Sequence, residues 1–198
     1  MDGKKTYAVF FVEGKTEAVF YRLLTGYLAQ KSQLEHFRIL KFVDLKGENN
    51  FAQKLNAKSL SLYIQKHPAD SYTFFFCYDH DLFPNEPPID WNKVKKGLPS
   101  QNVEAFFVSP IEQIEDWFFL DSESLLKYLR LPSDFDIAPY QKLHASGLRR
   151  LFWKRHRVYR KGERAEALIK ALSLPVLLEK IGKPLEPIVA LFSEGLDR

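Results

Sequence analysis

Acidic residues follow three of the apolar, strand-like segments of this chain. They are Glu13 after the first segment, Asp79 and Asp81 after the third, and Glu112 and Glu115 after the fourth. Carboxylates gathered at one place repel each other unless a cation lies among them. Mg²⁺ or Mn²⁺ suits such a place, because these hard cations take oxygen ligands and also bind phosphate oxygens. The pattern therefore predicts a divalent-metal site with phosphodiester chemistry.

Each of these acids also has a simpler interpretation. A glutamate after a strand, such as Glu13, is often a solvated loop residue, and Asp-X-Asp is a common turn sequence. We place Glu112 and Glu115 at i, i+3 spacing in the first turn of a helix, where they would favour its positive end without binding a metal. The combination of acids at three strand ends favours the metal site.

Strand-like and helix-like segments alternate through the first two thirds of the chain. Strands are expected at 7–12, 37–45, 72–78 and 103–108, and helices at 16–29, 51–65, 111–120 and 122–129. Such alternation is typical of βαβ units and a mainly parallel sheet. Because ligands bind beyond the carboxyl ends of the strands in such sheets, we expect an α/β fold that brings the acids to one edge.

Two motifs resemble those of the Toprim domain, which topoisomerases, bacterial primases and some nucleases share. Residues 12–17, V-E-G-K-T-E, resemble its first motif, and residues 76–81, F-C-Y-D-H-D, resemble the Asp-X-Asp of its second motif. The resemblance implies a Toprim-like, mainly parallel four-stranded sheet flanked by helices, formed by residues 1–131. Strand signals end after Pro132, so residues 132–198 are expected to form a helical, basic C-terminal region packed on that domain.

The resemblance implies roles for individual residues. Glu13 is expected to act as a general acid or base or as a metal ligand, and Asp79 and Asp81 are expected to hold Mg²⁺ or Mn²⁺. Gly14 allows a sharp turn and a close approach of the backbone to a phosphate. The resemblance to the nuclease branch of the family makes Glu17 a further candidate metal ligand. The alternative for Glu17 is a solvated glutamate in the first helical turn.

Residues 109–117 resemble a segment of small, stand-alone Toprim proteins related to the overcoming-lysogenization-defect nucleases, which are linked to phage defence. This resemblance makes Glu115 a further metal ligand, with Glu112 as the alternative. Trp117 is expected in the core rather than stacked on a base. The chain shows no segment resembling the partner domains of topoisomerases or primases, which favours nuclease chemistry or a scaffold without catalysis.

The segment from residue 149 to 161 is densely basic. More than half of its residues are Lys or Arg, and Phe152, Trp153 and Tyr159 lie among them. Such a segment suits phosphate binding and base stacking, the alternative being a solvated helix whose aromatic residues pack on the core. The candidate nucleic-acid-binding residues are Lys15, Arg149, Arg150, Lys154, Arg155, Arg157 and Arg160. Lys161 is a candidate catalytic residue, because a late lysine stabilises transition-state charge in the nuclease branch that the chain resembles.

Composition and the absence of targeting signals indicate the compartment. Hydrophobic residues make up 45% of the 198-residue chain, which permits a packed core, and the formal net charge of +4 permits polyanion binding without demanding it. With Cys77 as the one cysteine, the chain has neither an internal disulfide nor a cysteine-based zinc site. The N-terminus lacks the pattern of a signal peptide, and no apolar run is long enough to span a bilayer. We therefore expect a cytoplasmic protein that does not contact a membrane.

The sequence thus predicts a nuclease that depends on Mg²⁺ or Mn²⁺, cleaves DNA or RNA and acts in anti-phage defence. One alternative is a non-catalytic Toprim module that binds nucleic acid as a scaffold. Another is a ribonuclease of RNA maturation. The sequence leaves a homodimer and an ATPase partner protein open.

Overall fold

A single parallel sheet of four strands lies at the centre of the fold. The structure is a computed structural model that describes residues 5–32, 37–47, 51–80, 87, 89–100 and 102–193. The strands are β1 (Thr6–Val12), β2 (Phe37–Asp44), β3 (Ser71–Cys77) and β4 (Val103–Val108). They lie in the order β2-β1-β3-β4, and every neighbouring pair is parallel. The prediction of a parallel four-stranded α/β fold is confirmed.

Helices connect the strands and make up the C-terminal part of the fold. They are α1 (Lys15–Lys31), α2 (Phe51–Lys54), α3 (Ala57–Ile64), α4 (Trp91–Lys96), α5 (Ile114–Leu120), α6 (Ser122–Leu129), α7 (Ala138–Gln141), α8 (His144–Lys154), α9 (Glu166–Ala171), α10 (Leu174–Ile181) and α11 (Glu186–Ser193). Single turns of 3₁₀ helix lie at Gly162–Ala165 and Lys183–Leu185. No helix in the described ranges has both the length and the apolar character needed to cross a bilayer.

Two predicted helices begin or break at positions that side-chain capping explains. The helix expected over 51–65 is two helices, because Asn56 caps α3 by accepting a hydrogen bond from the backbone N–H of Ser59 at 3.0 Å. The helix expected from residue 111 begins at Ile114. The carboxylate of Asp116 accepts a hydrogen bond from the backbone N–H of Gln113 at 3.0 Å, which sets that start.

The sheet is covered on both faces. Alternate residues of a strand point to opposite faces, so Phe10 packs with α1, α5 and the C-terminal helices, whereas Phe11 packs with α2, α3 and α4. This double burial explains why the central strands β1 and β3 read as nearly continuous apolar runs. Buried residues of the C-terminal helices, such as Ile169 and Ile188, belong to the same core as Phe10. The division of the chain near residue 131 stays a prediction.

A ladder of stacked phenylalanines runs across all four strands. The ring centroids of Phe42 and Phe10 are 5.0 Å apart, those of Phe10 and Phe75 4.6 Å, and those of Phe75 and Phe106 5.7 Å. Each pair is also a register pair of neighbouring strands. Cross-strand aromatic pairs stabilise one register of the strands over shifted registers. The ladder therefore favours the register in which the carboxyl ends of the strands are level.

Phe10→Ala should test how much of the stability depends on this ladder. Phe10 is fully buried and stacks on two rings, so its truncation is expected to lower the free energy of unfolding by about 3 to 5 kcal/mol. Urea unfolding measures the change. The control is Ile111→Ala, because Ile111 is 82% exposed and its loss should change stability by less than about 0.5 kcal/mol. Equal effects of the two substitutions would contradict a central role for the ladder.

Candidate carboxylate site at the sheet edge

The carboxyl ends of β1 and β3 place the first two acids side by side. Val12 and Cys77 are register partners, and the backbone N–H of Glu13 donates to the carbonyl of Cys77 at 3.1 Å. Two residues further on, the backbone N–H of Asp79 donates to Oε2 of Glu13 at 3.2 Å. The main chain that follows β3 thus holds the carboxylate of Glu13, which follows β1.

Asp79 also contacts the beginning of α5. The side chain is 3% exposed, and its Oδ1 accepts a hydrogen bond from the backbone N–H of Ile114 at 2.8 Å. A carboxylate at the first N–H groups of a helix is favoured by the helix dipole. The other oxygen, Oδ2, lies 3.9 Å from Nζ of Lys161. Asp79 therefore connects β3, α5 and the C-terminal part of the chain.

Glu115 is the most deeply buried acid of the site. It lies in the first turn of α5, is 0% exposed, and accepts a hydrogen bond at Oε1 from the Tyr159 hydroxyl at 2.9 Å. Its Oε2 forms an ion pair with Nζ of Lys161 at 3.4 Å, but no donor meets that oxygen with hydrogen-bond geometry. A buried carboxylate oxygen in this situation has unused capacity to bind a cation.

Glu17 adds a third buried carboxylate, from the first turn of α1. Burial raises its pKa to about 7 against a lowering by a backbone hydrogen bond, and the charges of Glu13 and Glu115 add to the rise. The pKa of Asp79 is raised to about 8, first by burial and then by the charges of Glu17 and Glu13. Both carboxyls are therefore more easily protonated than in water, chiefly because they are buried and in part because other acids lie nearby.

Lys161 is the cation that reaches into this group of acids. Burial alone would lower its pKa, but the charges of Glu115, Asp79 and Glu17 outweigh burial and raise it, so the ammonium stays protonated at neutral pH. The backbone N–H of Gly162 donates to the Thr16 hydroxyl at 2.7 Å, which fixes the main chain beside Lys161 against the start of α1. Gly162 has a φ of +85°, a conformation that glycine adopts without strain.

The structure brings together most of the acids that the sequence singled out. Glu13, Glu17, Asp79, Glu115 and Lys161 lie at the carboxyl edge of the sheet. Asp81 lies outside the described residues. Glu112 precedes α5 and is partly exposed, so its expected place in the first helical turn is wrong. Across the described residues, no three acidic, histidine or cysteine side chains are arranged so that they could hold one metal ion.

Two residues that complete the site were not assigned to it from the sequence. The sequence suggests base stacking for Tyr159, yet its hydroxyl donates a hydrogen bond to Glu115. Thr16 follows Lys15 in the first motif, but its partner Gly162 is 146 residues away along the chain. A contact at that separation leaves no local pattern that sequence reading can detect.

The basic segment divides into exposed and engaged residues. Arg149, Arg150, Lys154, Arg155 and Arg160 are exposed, as is Lys15 at the start of α1. Arg157 is only partly exposed. Its guanidinium donates to the carbonyl of Tyr128 at 2.9 Å and lies 4.4 Å from the centroid of that ring. Arg157 therefore already stabilises the end of α6.

Comparison with known proteins gives a structural likeness only. No family model matches the chain, and no curated protein matches it. Two solved structures of the C-terminal region of the OLD protein from Xanthomonas campestris pv. campestris, one phased with iodine and one with platinum, are similar to it. The first is 14% identical, covers 93% of this chain and 96% of that chain, and has a TM-score of 0.43. The second is 15% identical, covers 93% and 94%, and has a TM-score of 0.37. At these values the likeness supports no inference about chemistry.

The raised pKa values of Glu17 and Asp79 should make the metal-free protein less stable as the pH rises. Both values lie above those of the unfolded chain, so the folded state binds protons more tightly. This contribution to stability is complete below about pH 4 and is lost as the pH rises through about 7 to 8. In the presence of EDTA, Glu17→Gln should therefore flatten the fall in unfolding free energy between pH 5 and pH 8 by about 2 to 3 kcal/mol. Urea unfolding across this pH range measures it.

A control for this experiment is Glu123→Gln, because Glu123 is exposed on α6, away from the sheet edge. Its pH profile should follow that of the wild type. A wild-type stability that rises from pH 5 to pH 8 in EDTA would contradict the assignment of buried, mutually repelling carboxylates.

Proposed function

We propose that this chain is a divalent-metal-dependent nuclease with a Toprim-like site, which hydrolyses phosphodiester bonds of DNA or RNA. The observation that carries the proposal is the convergence of Glu13, Glu17, Asp79 and Glu115 with Lys161 at the carboxyl edge of a parallel sheet. That edge is where open α/β sheets bind their ligands. An excess of buried carboxylate charge there is a functional signal rather than a means of stabilising the fold.

The chemistry of the donors fits Mg²⁺ or Mn²⁺. All candidate ligands offer carboxylate oxygen, and one oxygen of Glu115 is buried without a hydrogen-bond donor. The residues proposed to hold the ion are Glu13, Glu17, Asp79 and Glu115, together with Asp81. The four described acids do not form a ready-made three-ligand group as they stand, so the proposal rests on their donor chemistry and shared position. When bound, such an ion polarises the phosphorus–oxygen bond and lowers the pKa of a bound water. Because Glu17 and Asp79 must lose their protons first, metal affinity should increase with pH.

The chain's own residues then have distinct tasks. Glu13 is the least buried of the four carboxylates, and the backbone N–H of Asp79 orients its Oε2. We assign Glu13 to accept the proton of the attacking water. The ammonium of Lys161 is 41% exposed and stays protonated. It is therefore available to stabilise negative charge that develops on the phosphate oxygens.

Exposed basic residues would hold the nucleic acid strand. We assign this to Lys15, Arg149, Arg150, Lys154, Arg155 and Arg160, all of which are exposed. Arg157 contributes less directly, since its guanidinium already bonds the carbonyl of Tyr128. A role in anti-phage defence, with an ATPase partner, follows from the resemblance to the small stand-alone Toprim proteins and belongs to the same proposal.

One observation favours a second candidate, a non-catalytic module that binds nucleic acid. Lys161 already forms ion pairs with Asp79 and Glu115, so these two acids have a counter-ion without a metal. In a scaffold of this kind the buried ion pairs would hold the C-terminal part against the sheet. Binding of nucleic acid would then depend on salt and be insensitive to chelators.

A cleavage assay with Asp79→Asn separates the two candidates. The substitution removes the charge but keeps an oxygen to accept the hydrogen bond from Ile114. With Mn²⁺, the wild type should cleave plasmid DNA or single-stranded RNA, and Asp79→Asn should reduce the rate by at least about 100-fold. Gel electrophoresis of the products over time measures the rate. Glu123→Gln serves as the control and should cleave like the wild type.

The outcomes of this assay are unambiguous. Cleavage that survives in Asp79→Asn overturns the proposed site. A wild type that binds the same substrates without cleaving them, equally well in Mn²⁺ and in EDTA, establishes the non-catalytic module instead.

A further inference from the structure

Helix α8 has one face in the core and one face in solvent. Its buried residues are Ala145, Gly147, Leu148, Leu151 and Phe152. The exposed residues are Ser146, Arg149, Arg150, Trp153 and Lys154. An amphipathic helix normally places charged and polar residues on its solvent face. A tryptophan among three cations on that face is an exception.

Trp153 is 72% exposed, whereas Phe152 and Tyr159 of the same basic segment are buried. Packing on the core is the alternative given above for the aromatic residues of this segment. It holds for Phe152 and Tyr159 but not for Trp153. Tryptophan has the largest apolar surface of any side chain, and leaving it in water forgoes several kcal/mol of burial, on the order of 2 to 3. An exposed tryptophan that lies beside other aromatic and charged residues marks a binding surface more often than a single exposed apolar residue does.

The indole borders a shallow, open depression. The depression has a volume of about 530 Å³ and is lined by Tyr140, Arg149, Arg150, Trp153 and Lys154. Nζ of Lys154 lies 5.9 Å from the centroid of the Tyr140 ring, within the range of a cation–π contact. The lining therefore combines two aromatic rings with three positive charges.

Close packing of α7 on α8 holds the Tyr140 side of the depression in place. A Cβ added at Gly147 would lie 1.8 Å from the carbonyl oxygen of Tyr140, so the two backbones touch there. Only glycine permits this approach. The position of Tyr140 relative to Trp153 is consequently set by the fold before any ligand binds.

The charges around the indole, on Arg149, Arg150 and Lys154, have no ion-pair partner in the described part of the chain. Three cations beside an exposed ring would repel a basic partner, and burying them against a purely apolar partner would cost their desolvation. They match a ligand that carries both negative charge and flat π-surfaces, which is the chemistry of a polynucleotide.

We propose that this surface binds single-stranded nucleic acid, with an unpaired base stacked on Trp153 and the neighbouring phosphates bound by Arg149, Arg150 and Lys154. The proposal rests on the proposed nuclease function and names its substrate class. A duplex hides the faces of its bases within the helical stack, so it offers phosphates to the cations but no face to the indole. A strand with unpaired bases satisfies both.

The position of α8 connects this surface to the carboxylate site. Nδ1 of His144 lies 2.8 Å from Oδ1 of Asp116, and the backbone N–H of Ala145 donates to the Gln113 side chain at 3.3 Å. Both contacts join the start of α8 to the start of α5, where Glu115 lies. Trp153 follows Ala145 by eight residues, or about 12 Å along the helix. Trp153 thus lies on a helix whose first turn contacts the element that carries Glu115.

Fluorescence anisotropy with labelled 20-nucleotide DNA and RNA, single-stranded or duplex, tests the proposal in EDTA, where no cleavage takes place. Trp153→Ala should weaken binding of the single strands by about tenfold or more, and duplex binding by less than about twofold. Trp153→Phe should retain most of the single-strand affinity, because it keeps a stacking ring.

Arg150→Gln should weaken single-strand and duplex binding alike and lower the salt dependence of both.

The matched control is Leu62→Ala, because Leu62 is an exposed apolar residue on α3, at 65% exposure, and its variant should bind like the wild type. Unchanged single-strand affinity in Trp153→Ala overturns the proposal, as does an equal loss for single strands and duplex. Sedimentation identifies the rival outcome, in which Trp153→Ala dissociates a dimer and leaves oligonucleotide binding intact. Because the assay needs no metal, a protein that binds single strands through Trp153 but never cleaves them would fail only the nuclease proposal.

Discussion

Repulsion among buried carboxylates is the constraint on which the rest of this structure depends. Glu17, Asp79 and Glu115 lie almost wholly out of water at one edge of the sheet. Burial, and to a lesser degree the neighbouring negative charges, raise the pKa values of Glu17 and Asp79. The fold tolerates them because protonation and the ammonium of Lys161 reduce the charge. Such an arrangement contributes little to stability. It is the feature on which the proposed metal site rests.

The C-terminal part of the chain is needed to complete this edge. The sheet and α1 supply Glu13, Glu17 and Asp79, but the hydroxyl on Glu115 comes from Tyr159 and the ammonium comes from Lys161. The hydrogen bond from Gly162 to Thr16 fixes that segment against α1. The basic surface of α8 is joined to α5 by contacts at its first turn. The acids, their counter-charge and the proposed nucleic-acid surface are thus parts of one connected structure.

The sequence predicts the sheet well and the site only in part. The central strands β1 and β3 were predictable because both of their faces are buried, which makes each a nearly unbroken apolar run. The resemblance favours Glu115 over Glu112 as the ligand, but the start of α5 at Ile114 was not predictable, since it depends on the capping contact between Gln113 and Asp116. The hydroxyl that Tyr159 directs at Glu115 and the exposure of Trp153 depend on how distant helices pack. Contacts between residues far apart in sequence leave no periodic pattern to read.

Calorimetric titration of Mn²⁺ into the metal-free protein at pH 8 tests the central claim most directly, because it requires neither nucleic acid nor turnover. The acids at the sheet edge should bind the ion in the wild type, and Asp79→Asn, which removes one buried charge, should abolish or greatly weaken that binding. The wild-type affinity should also fall as the pH is lowered through 7, when Glu17 and Asp79 retain their protons. A wild type that binds no Mn²⁺, or a variant that binds it equally well, would contradict the account.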